Sequence, residues 1–272
     1  MPELPEVETI VRQLESVLSG RATRELKIYD RKLETGLKAE VPGRRIESVT
    51  RLGKQICLRL SSNGIDTQPL WLVVHLRMTG RLIMDTDRTA QNETHLRAEL
   101  LLDSGSLLFY DLRRFGLLMV LKTLDQAAPA GIDPLSERFT TQRLTRLIAG
   151  STTPVKPWLL RQDRIVGLGN IYASEILFAC AIDPRTPAGR LDAAQLTRLH
   201  RQIRRILRLA IENCGTTFSD FQDSHGRIGS FQNLLKVYDR EGEPCPRCRT
   251  TIRRIIQQQR STFFCPSCQK SS

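Results

Sequence analysis

Four cysteines near the C-terminus are the feature that most restricts how this chain can fold. Two residues separate Cys245 from Cys248 and two separate Cys265 from Cys268, and sixteen residues lie between the pairs. This spacing is typical of a tetrahedral zinc site with four thiolate ligands. Because cysteines would occupy all four positions, no position remains for a reactive water. We therefore predict one structural Zn²⁺.

The segment around these cysteines is strongly cationic. From Cys245 to the last residue the chain has no acidic side chain, and its basic residues are Arg247, Arg249, Arg253, Arg254, Arg260 and Lys270. A compact cationic module held by zinc suits a nucleic-acid backbone. A zinc ribbon that binds another protein is the alternative that these residues leave open.

The charge of the whole chain also favours a polyanionic partner. Its 272 residues include 41 Lys and Arg against 29 Asp and Glu, which gives a formal net charge of +12. DNA, RNA and the ribosome all remain open as partners. The N-terminus has carboxylates where a signal peptide needs a basic and then an apolar run, and no apolar stretch is long enough to span a membrane. We therefore expect a cytoplasmic protein with no membrane partner.

The first residues of the chain can be interpreted as a catalytic terminus. Removal of Met1 would make Pro2 a terminal secondary amine with a pKa of about 8, which can attack an electrophilic carbon near neutral pH. The iminium that such an amine forms with a sugar aldehyde is an electron sink, so a β-leaving group such as phosphate departs more easily. Glu3 is placed beside it to donate or accept a proton.

The alternative is that this segment is only the start of a helix. Apolar residues recur there at spacings of three and four, at Val7, Val11, Leu14 and Leu18. This pattern predicts a helix with one buried face, and Glu6 and Glu8 would then favour the positive end of the helix dipole. Both interpretations can hold together, because burial of the helix would fix the terminus in space.

Residues from about 22 to 124 carry strand patterns. Lys54–Leu60 alternates, Trp71–Leu76 is a short apolar run, and two further runs flank the turn Asp103-Ser104-Gly105 as a hairpin would. Antiparallel strands in this number predict a sandwich or barrel with the first helix packed against it.

The run Gln126–Gly131 interrupts the strand pattern and is predicted to be a linker, after which the chain becomes helical up to about residue 213. The clearest helix is Asp192–Asn213, capped by Asp192. Its charged face consists of Arg198, Arg201, Arg204, Arg205 and Arg208. We favour a solvated face over a DNA contact for these arginines.

Two short helices joined by Gly167-Leu168-Gly169 precede that long helix. They would present backbone amides and Asn170 at a helix N-terminus, which suits a phosphate.

The three remaining cysteines, Cys57, Cys180 and Cys214, lie in apolar sequence and are predicted to be reduced, packed thiols.

Five motifs in order give the chain a resemblance to the bacterial formamidopyrimidine-DNA glycosylases, also called 8-oxoguanine DNA glycosylases. They are Pro2-Glu-Leu-Pro-Glu-Val-Glu-Thr9, His75-Leu-Arg-Met-Thr-Gly80, Asp111-Leu-Arg-Arg-Phe-Gly116, Gly167-Leu-Gly-Asn-Ile-Tyr-Ala-Ser-Glu175 and the four-cysteine finger. The resemblance runs almost end to end. It implies an α+β protein with an N-terminal antiparallel β-sandwich, a helix-two-turns-helix domain and a C-terminal zinc finger, with boundaries at 1–130, 131–236 and 237–272.

The resemblance implies a bifunctional base-excision enzyme that works as a monomer on damaged double-stranded DNA. Pro2 would attack C1′ of the damaged nucleotide, Glu3 would assist opening of the sugar ring, and Glu6 would be a supporting carboxylate. Lys54 matches a lysine linked to phosphate contact and to proton transfer during β-elimination, although a strand-edge lysine is the alternative. Arg260 is linked to the δ-elimination step.

The DNA-binding residues are also implied by the resemblance. Met78, Arg113 and Phe115 match side chains that fill the space left by the extruded base, which suits two apolar groups and a guanidinium that can bond the orphaned cytosine. Asn170 and Arg260 match the pair that holds the flanking phosphates. His75 opens the second of the five motifs, Lys156 lies in Lys156-Pro157-Trp158, and the resemblance implies that both bind DNA.

Some positions depart from the family pattern. Asn92-Glu93-Thr94-His95 stands where a Lys-His pair is frequent, Gly150–Thr153 replaces a lysine-rich run, and Leu112 stands where proline is common. None touches the catalytic terminus, so we expect altered phosphate contacts and retained activity.

The polar segment Gly215–Ser230 matches a loop that closes over the flipped purine.

Two rival functions remain. An endonuclease VIII-like enzyme acting on oxidised pyrimidines is the nearest, and Leu4 with the Pro-Glu-Val-Glu-Thr continuation favours the purine enzyme over it. A non-catalytic, zinc-dependent DNA-binding protein is the rival from another class. It predicts that blocking the N-terminus changes nothing.

Overall fold

The structure, a computed structural model, describes residues 2–33, 35–62, 68–86, 94–216 and 229–270. The Cα positions group the chain into two compact units. The first, here called the N-terminal unit, comprises residues 1–128 and 213–230, and the second, the C-terminal unit, comprises 129–212 and 231–272. Among the described helices, none combines the length and the apolar character that crossing a membrane requires.

In its described residues, the N-terminal unit consists of one α-helix, two antiparallel sheets and three short 3-10 helices. Helix α1 spans Leu4–Leu18, and the strands are β1 Thr23–Ile28, β2 Ile46–Leu52, β3 Gln55–Leu60, β4 Leu70–His75, β5 Gly80–Asp85, β6 Leu96–Leu102, β7 Ser106–Asp111 and β8 Leu117–Leu121. Each sheet has four strands, in the orders β1-β6-β7-β5 and β2-β3-β4-β8. Short 3-10 helices occupy Arg31–Leu33, Lys38–Glu40 and Leu124–Ala127. The predicted β-sandwich is confirmed.

One hydrophobic core lies between the two sheets and α1. Inward-facing Val, Leu and Ile side chains of every strand contribute to it, together with the apolar stripe of the helix. The stripe is the predicted one, since Val7, Val11, Leu14 and Leu18 are all buried. Glu15 of α1 accepts a hydrogen bond from Val49 N in β2, which fixes the helix against that sheet.

The C-terminal unit is helical and ends in a small hairpin. Its elements are α2 Thr141–Ile148, α3 Val155–Leu159, α4 Asn170–Cys180, α5 Ala193–Glu212, β9 Arg253–Gln257 and β10 Arg260–Phe264, with 3-10 helices at Ala188–Arg190 and Phe231–Leu234. Asp192 caps α5 as predicted. Its Oδ1 accepts from Gln195 N at 2.7 Å, and its own N donates to Gln195 Oε1 at 2.9 Å.

The structure corrects the sequence interpretation in two places. The predicted linker is not wholly irregular, because Thr123 and Gln126 form a capping box that starts the 3-10 helix Leu124–Ala127. Cys57 and Cys180 are buried, and burial raises the pKa of each thiol to about 12, but Cys214 is exposed and is not a packed thiol. Cys214 follows the last turn of α5 in a left-handed conformation, with φ of 57°, where the chain leaves the helix.

Candidate active site

The start of α1 is fixed by two reciprocal hydrogen bonds between Glu3 and Glu6. Glu3 N donates to Glu6 Oε2 at 2.8 Å, and the Glu3 carboxylate accepts from the backbone N–H of Glu6. These side chains are buried, at 2% and 1% exposed, and Pro2 is buried with them. The capping box therefore holds Pro2 in one place and puts a carboxylate next to it in the chain.

Glu6 also joins this terminus to the segment after α5. Its Oε1 accepts from Thr216 N at 2.8 Å and from Thr216 Oγ1 at 3.0 Å. Gly215 has φ of +74°, and a Cβ atom there would lie 2.7 Å from Glu6 Oε1, so only glycine fits. The predicted lid starts at this contact, but its residues 217–228 lie outside the described part of the chain.

Lys54 lies in the tight turn between β2 and β3, after Gly53, whose φ is 63°. This turn is tied to α1 through Arg51. The Arg51 Nε donates to Glu8 Oε2 at 2.8 Å, and its Nη1 donates to the Gly53 carbonyl at 3.1 Å. The positions of Lys54 and of the first turns of α1 are thus coupled, which the sequence did not indicate.

His75 ends β4 directly opposite Gln55, the residue after Lys54. Desolvation, together with the nearby charges of Arg77 and Lys54, lowers the pKa of His75 to about 4. The ring is therefore neutral near pH 7. Its Nδ1 accepts from Arg77 N at 3.0 Å, so the proton resides on Nε2, which can donate to an anion.

The lowered pKa of His75 predicts a stability change in mildly acidic solution. The unfolded chain binds the His75 proton near pH 6.5, whereas the folded chain binds it only near pH 4. Since the unfolded state then holds more protons between these values, stability falls as the pH drops from 6.5 to 4. We expect the melting temperature of a His75→Gln variant to decrease less between pH 6.5 and pH 4 than that of the wild type. Equal pH slopes for the two proteins, measured by calorimetry, would contradict the assignment.

Met78, Arg113 and Phe115 come together on the surface of the N-terminal unit. The Arg113 guanidinium lies 4.8 Å from the centroid of the Phe115 ring, and its Nη1 lies 3.4 Å from Met78 Sδ. Met78 is 43% exposed and Phe115 51% exposed, so neither belongs to the core. The neighbouring Leu112 is 58% exposed and adds to this apolar surface.

The two loops that carry this cluster are organised by one buried carboxylate, Asp111. Its Oδ1 accepts from Thr79 Oγ1 and, at 3.2 Å, from Arg113 N, while its Oδ2 accepts from Gly116 N at 2.7 Å. Asp111 is 1% exposed. It therefore joins the loop after β4 to the loop after β7, an arrangement that the sequence analysis missed. The signal available was an Asp two residues before a backbone donor, as in an Asx turn.

A second buried carboxylate, Asp30, also holds the loop after β7. Asp30 accepts two hydrogen bonds from Arg114, each of 2.6 Å, and Arg114 has a left-handed backbone with φ of 58°. The hydrogen bonds from Arg114 lower the pKa of Asp30 to about 2, against its burial. The carboxylate of Asp30 is therefore ionised at neutral pH, and the pair is lost only as the pH falls toward 2.

In the C-terminal unit, Lys156 is fully buried rather than open to DNA. Its Nζ donates to Asn170 Oδ1 at 2.5 Å, to Ser261 O at 2.9 Å and to Thr262 Oγ1 at 2.8 Å. Three acceptors match the three donors of an ammonium group. A covered ammonium cannot also contact a phosphate. Any contribution of Lys156 to DNA binding is therefore indirect, through the groups that it holds.

Asn170 is the first residue of α4, and Arg260 is the first residue of β10. Lys156 links their positions, because it bonds the Asn170 side chain and the two residues that follow Arg260. Since Asn170 Oδ1 accepts from Lys156, its Nδ2 donors point elsewhere and suit an anion. Arg260 is exposed and lies opposite Gln257 across the hairpin.

The four cysteines form a cluster whose geometry fits zinc. Their Sγ atoms all lie within 4.8 Å of one another, and the pairs Cys248–Cys265 and Cys245–Cys268 are 3.4 Å and 3.9 Å apart. A tetrahedron with Zn–S bonds of about 2.3 Å has sulfur separations of about 3.8 Å. Backbone N–H groups of Arg247 and Cys268 point at the sulfurs of Cys245 and Cys265, at 3.4 Å each. Such donors stabilise thiolate ligands.

Family models match almost the whole chain in three consecutive segments. Residues 1–118 match a model described as the formamidopyrimidine-DNA glycosylase N-terminal domain, and residues 130–222 match one described as the formamidopyrimidine-DNA glycosylase H2TH domain. Residues 242–270 match a zinc finger found in FPG and IleRS.

Similar proteins are matched over their full lengths. Formamidopyrimidine-DNA glycosylases of Chloroflexus aurantiacus and Stutzerimonas stutzeri are 41% and 42% identical, each over 99% of this chain, with 98% and 100% of the relative covered. The MutM (Fpg) protein of Thermus thermophilus has a TM-score of 0.87 at 38% identity, with 98% of both chains covered. A Lactococcus lactis FPG mutant in complex with Fapy-dG containing DNA has a TM-score of 0.88 at 34% identity, with 99% of this chain and 100% of that chain covered.

Proposed function

The chain belongs to the formamidopyrimidine-DNA glycosylase family, and on this premise we propose that it excises oxidised purines from DNA and then cleaves the abasic product by β,δ-elimination. It is a base-excision-repair DNA glycosylase that binds damaged double-stranded DNA and carries one structural zinc. The observation that carries the mechanism is the fixed N-terminus, where Pro2 is buried beside the Glu3–Glu6 capping box.

In the proposed first step the Pro2 nitrogen attacks C1′ of the damaged nucleotide. The bond from C1′ to the base breaks, and the base leaves with the electron pair and takes up a proton. Glu3 then protonates the ring oxygen, the sugar opens, and C1′ becomes an iminium carbon bonded to Pro2. Glu6 does not react. With both of its oxygens bonded, to Glu3 N and to Thr216, it positions the terminus.

Elimination follows from the iminium. Loss of a C2′ proton to a base breaks the bond to the 3′-phosphate, and a second loss of a proton along the conjugated chain breaks the bond to the 5′-phosphate. Hydrolysis of the remaining imine frees Pro2. We assign the phosphate contact and proton transfer of the first elimination to Lys54, and the second elimination to Arg260. The product is a one-nucleotide gap with phosphate at both ends.

Three exposed side chains are assigned to the duplex where the damaged base leaves. Met78 and Phe115 are apolar and half exposed, so they can replace the lost stacking, and Arg113 between them can bond the orphaned cytosine. His75 donates from Nε2, Asn170 from Nδ2, and Arg260 from its guanidinium to backbone phosphates. Lys156 acts indirectly, as the group that fixes Asn170.

The protein is proposed to act as a monomer on chromosomal DNA in a bacterial cytoplasm. The relatives described above come from bacteria, and the net charge of +12 suits a protein that moves along DNA. We also propose that the three predicted domains, 1–130, 131–236 and 237–272, divide catalysis, phosphate binding and groove binding among them.

A substrate comparison tests the proposed specificity. Single-turnover base release is measured on duplexes with 8-oxoguanine opposite cytosine and with thymine glycol opposite adenine. We expect faster release of 8-oxoguanine. The wild-type Lactococcus lactis FPG forms a complex with an oxidised pyrimidine containing DNA, so the ratio of the two rates, and not binding, decides between the functions. Faster release of thymine glycol would favour the endonuclease VIII-like function. No base release from either duplex would favour the non-catalytic DNA-binding protein.

Replacement of Asp111 tests how the base-replacing cluster is positioned. Asp111→Ala removes three hydrogen bonds worth about 1 kcal/mol each, so we expect about 100-fold slower base release. Cleavage of a duplex with a preformed abasic site needs no extrusion of a base and should change far less. Asp111→Asn keeps an oxygen that can accept from Thr79 and Arg113, but its amide NH₂ would face the Gly116 N–H, which is also a donor. We expect its rate of base release to lie between those of the wild type and Asp111→Ala. Equal losses on both substrates would indicate a general structural defect instead.

Replacement of Lys156 tests its indirect role. Lys156→Met leaves Asn170 without its fixed partner, and we expect duplex affinity to fall about tenfold, the equivalent of one charge-assisted hydrogen bond. The rate of base release at saturating enzyme should be nearly unchanged, because Pro2 and Glu3, the groups assigned to that step and to ring opening, belong to the other compact unit. Fluorescence anisotropy and single-turnover kinetics separate the two effects, and zinc content verifies folding. An unchanged affinity would contradict the assignment.

A further inference from the structure

A groove in the C-terminal unit is lined by none of the side chains assigned individually to DNA contacts under the proposed function. It encloses about 510 Å³ between α4, α5, the 3-10 helix Phe231–Leu234 and the first residues of the zinc finger. The large apolar side chains in its lining are Phe178, Ile206, Leu209, Phe231, Leu234 and Pro246. Leu234 is 36% exposed, an apolar surface that the fold itself leaves open to water. This size and lining suit one or two bulky apolar side chains.

Three exposed cationic residues surround the apolar lining, namely Arg205, Lys236 and Arg247. Arg247 is fixed in advance. Its guanidinium lies 4.2 Å from the centroid of the Phe178 ring, and its Nη1 donates to the Phe178 carbonyl at 2.9 Å. A guanidinium held in this way loses little freedom when an anion binds, so it favours binding.

The carboxylate that also lines the groove is already used within the fold. Glu175 is 5% exposed and accepts from the backbone N–H groups of Lys236, Val237 and Tyr238, each at 2.9 Å. Burial raises its pKa, while these three donors act in the opposite direction. Glu175 anchors the segment 236–238 and presents little negative charge to a ligand, so the groove is cationic in effect.

The positive charge continues along α5 beyond the groove. Arg201 and Arg208 are exposed and lie four residues before and three residues after Arg205, which places all three on one side of the helix. A ligand with an apolar anchor and several neighbouring negative charges would therefore match both the groove and its surroundings.

We propose that this groove binds an acidic peptide segment of a partner protein, with an aromatic or large aliphatic side chain as its anchor. The anchor enters the apolar lining, and the carboxylates pair with Arg205, Lys236 and Arg247. The apolar lining favours a peptide over a DNA backbone, which offers no apolar side chain. The groove also lies at the end of α4 that carries Phe178, eight residues and about 12 Å along the helix from Asn170. The segment could thus be bound while Asn170 holds a phosphate.

A labelled peptide with four aspartates followed by leucine and phenylalanine tests this proposal. Its binding to the full, zinc-loaded chain is followed by fluorescence anisotropy, beside a peptide in which serines replace the two apolar residues. We expect Arg205→Glu and Leu234→Asp each to weaken binding at least about tenfold, as the loss of one central contact does. Arg146→Glu makes the same charge change at an exposed position of α2 outside the groove, and it should leave peptide binding unchanged.

The other outcomes overturn the proposal. If the serine peptide binds equally well, or if Arg146→Glu weakens binding as much as Arg205→Glu does, general charge attraction holds the peptide. If no binding is detected at about 1 mM peptide, a concentration that detects even weak complexes, the groove does not accept the peptide. Displacement of the peptide by an undamaged duplex, with weaker duplex binding by Arg205→Glu, would make the groove part of the DNA path. Base release by Arg205→Glu should equal that of the wild type, so the enzymatic function is tested separately. If Leu234→Asp fails to retain zinc, Arg205→Glu alone decides.

Discussion

A chain whose N-terminus is blocked by an uncleaved extension before Pro2 should lose base release and strand cleavage by a factor of at least about 10³, because an amide nitrogen cannot act as the nucleophile. The reason lies in the chemistry of one atom. With a free terminus, Pro2 offers a lone pair near neutral pH, whereas an extension places that lone pair in a peptide bond.

The same protein provides the matched control. The extension is removed by a protease that leaves Pro2 as the first residue, and activity is measured before and after cleavage in one preparation. Duplex affinity should change little, since Asn170 and Arg260 lie in the other compact unit. Full activity of the extended chain would exclude Pro2 as the nucleophile.

Removal of zinc should have the second largest effect. The small core of the finger consists of the buried ligands Cys245 and Cys265 with Phe178, Val237, Ile252 and Phe263. A core of this size cannot hold β9 and β10 without the metal, because zinc supplies on the order of 10 kcal/mol of folding free energy in such modules. We expect loss of the finger to weaken duplex binding at least about 100-fold, since Arg260 and its neighbouring cations lose their fixed positions.

Two cysteine variants separate zinc binding from thiol chemistry. Cys248→Ser removes one ligand and should lower both zinc content and duplex affinity, measured by metal analysis and anisotropy. Cys214→Ser changes an exposed thiol outside the cluster and should leave both unchanged. Duplex binding that survives complete loss of zinc would show that the finger is not needed to hold DNA.

Much of the scaffold could be predicted because its signals are local. The apolar stripe of α1, the turn between β6 and β7 and the cap of α5 each depend on residues within a few positions of one another. The zinc cluster follows from two short spacings. Such features can be predicted without knowledge of the rest of the fold.

The details that position the site could not be predicted in this way. Glu6 meets Thr216 across a separation of 210 residues, and Lys156 reaches Ser261 across 105, so no local pattern reveals either contact. Lys156 also illustrates that a lysine near a binding motif need not face the ligand, because three acceptors can compensate its burial. Asp111 lies inside a recognised motif, yet its role depends on Thr79 from another loop.

Borohydride trapping on a duplex with 8-oxoguanine opposite cytosine tests the central claim most directly. Reduction converts an iminium between enzyme and sugar into a stable amine, and mass spectrometry of the digested adduct locates the bond. We predict one adduct on the N-terminal peptide, at the Pro2 nitrogen of a chain without Met1. An adduct on Lys54, or no adduct despite zinc-dependent binding of the duplex, would contradict the assignment of Pro2 as the nucleophile.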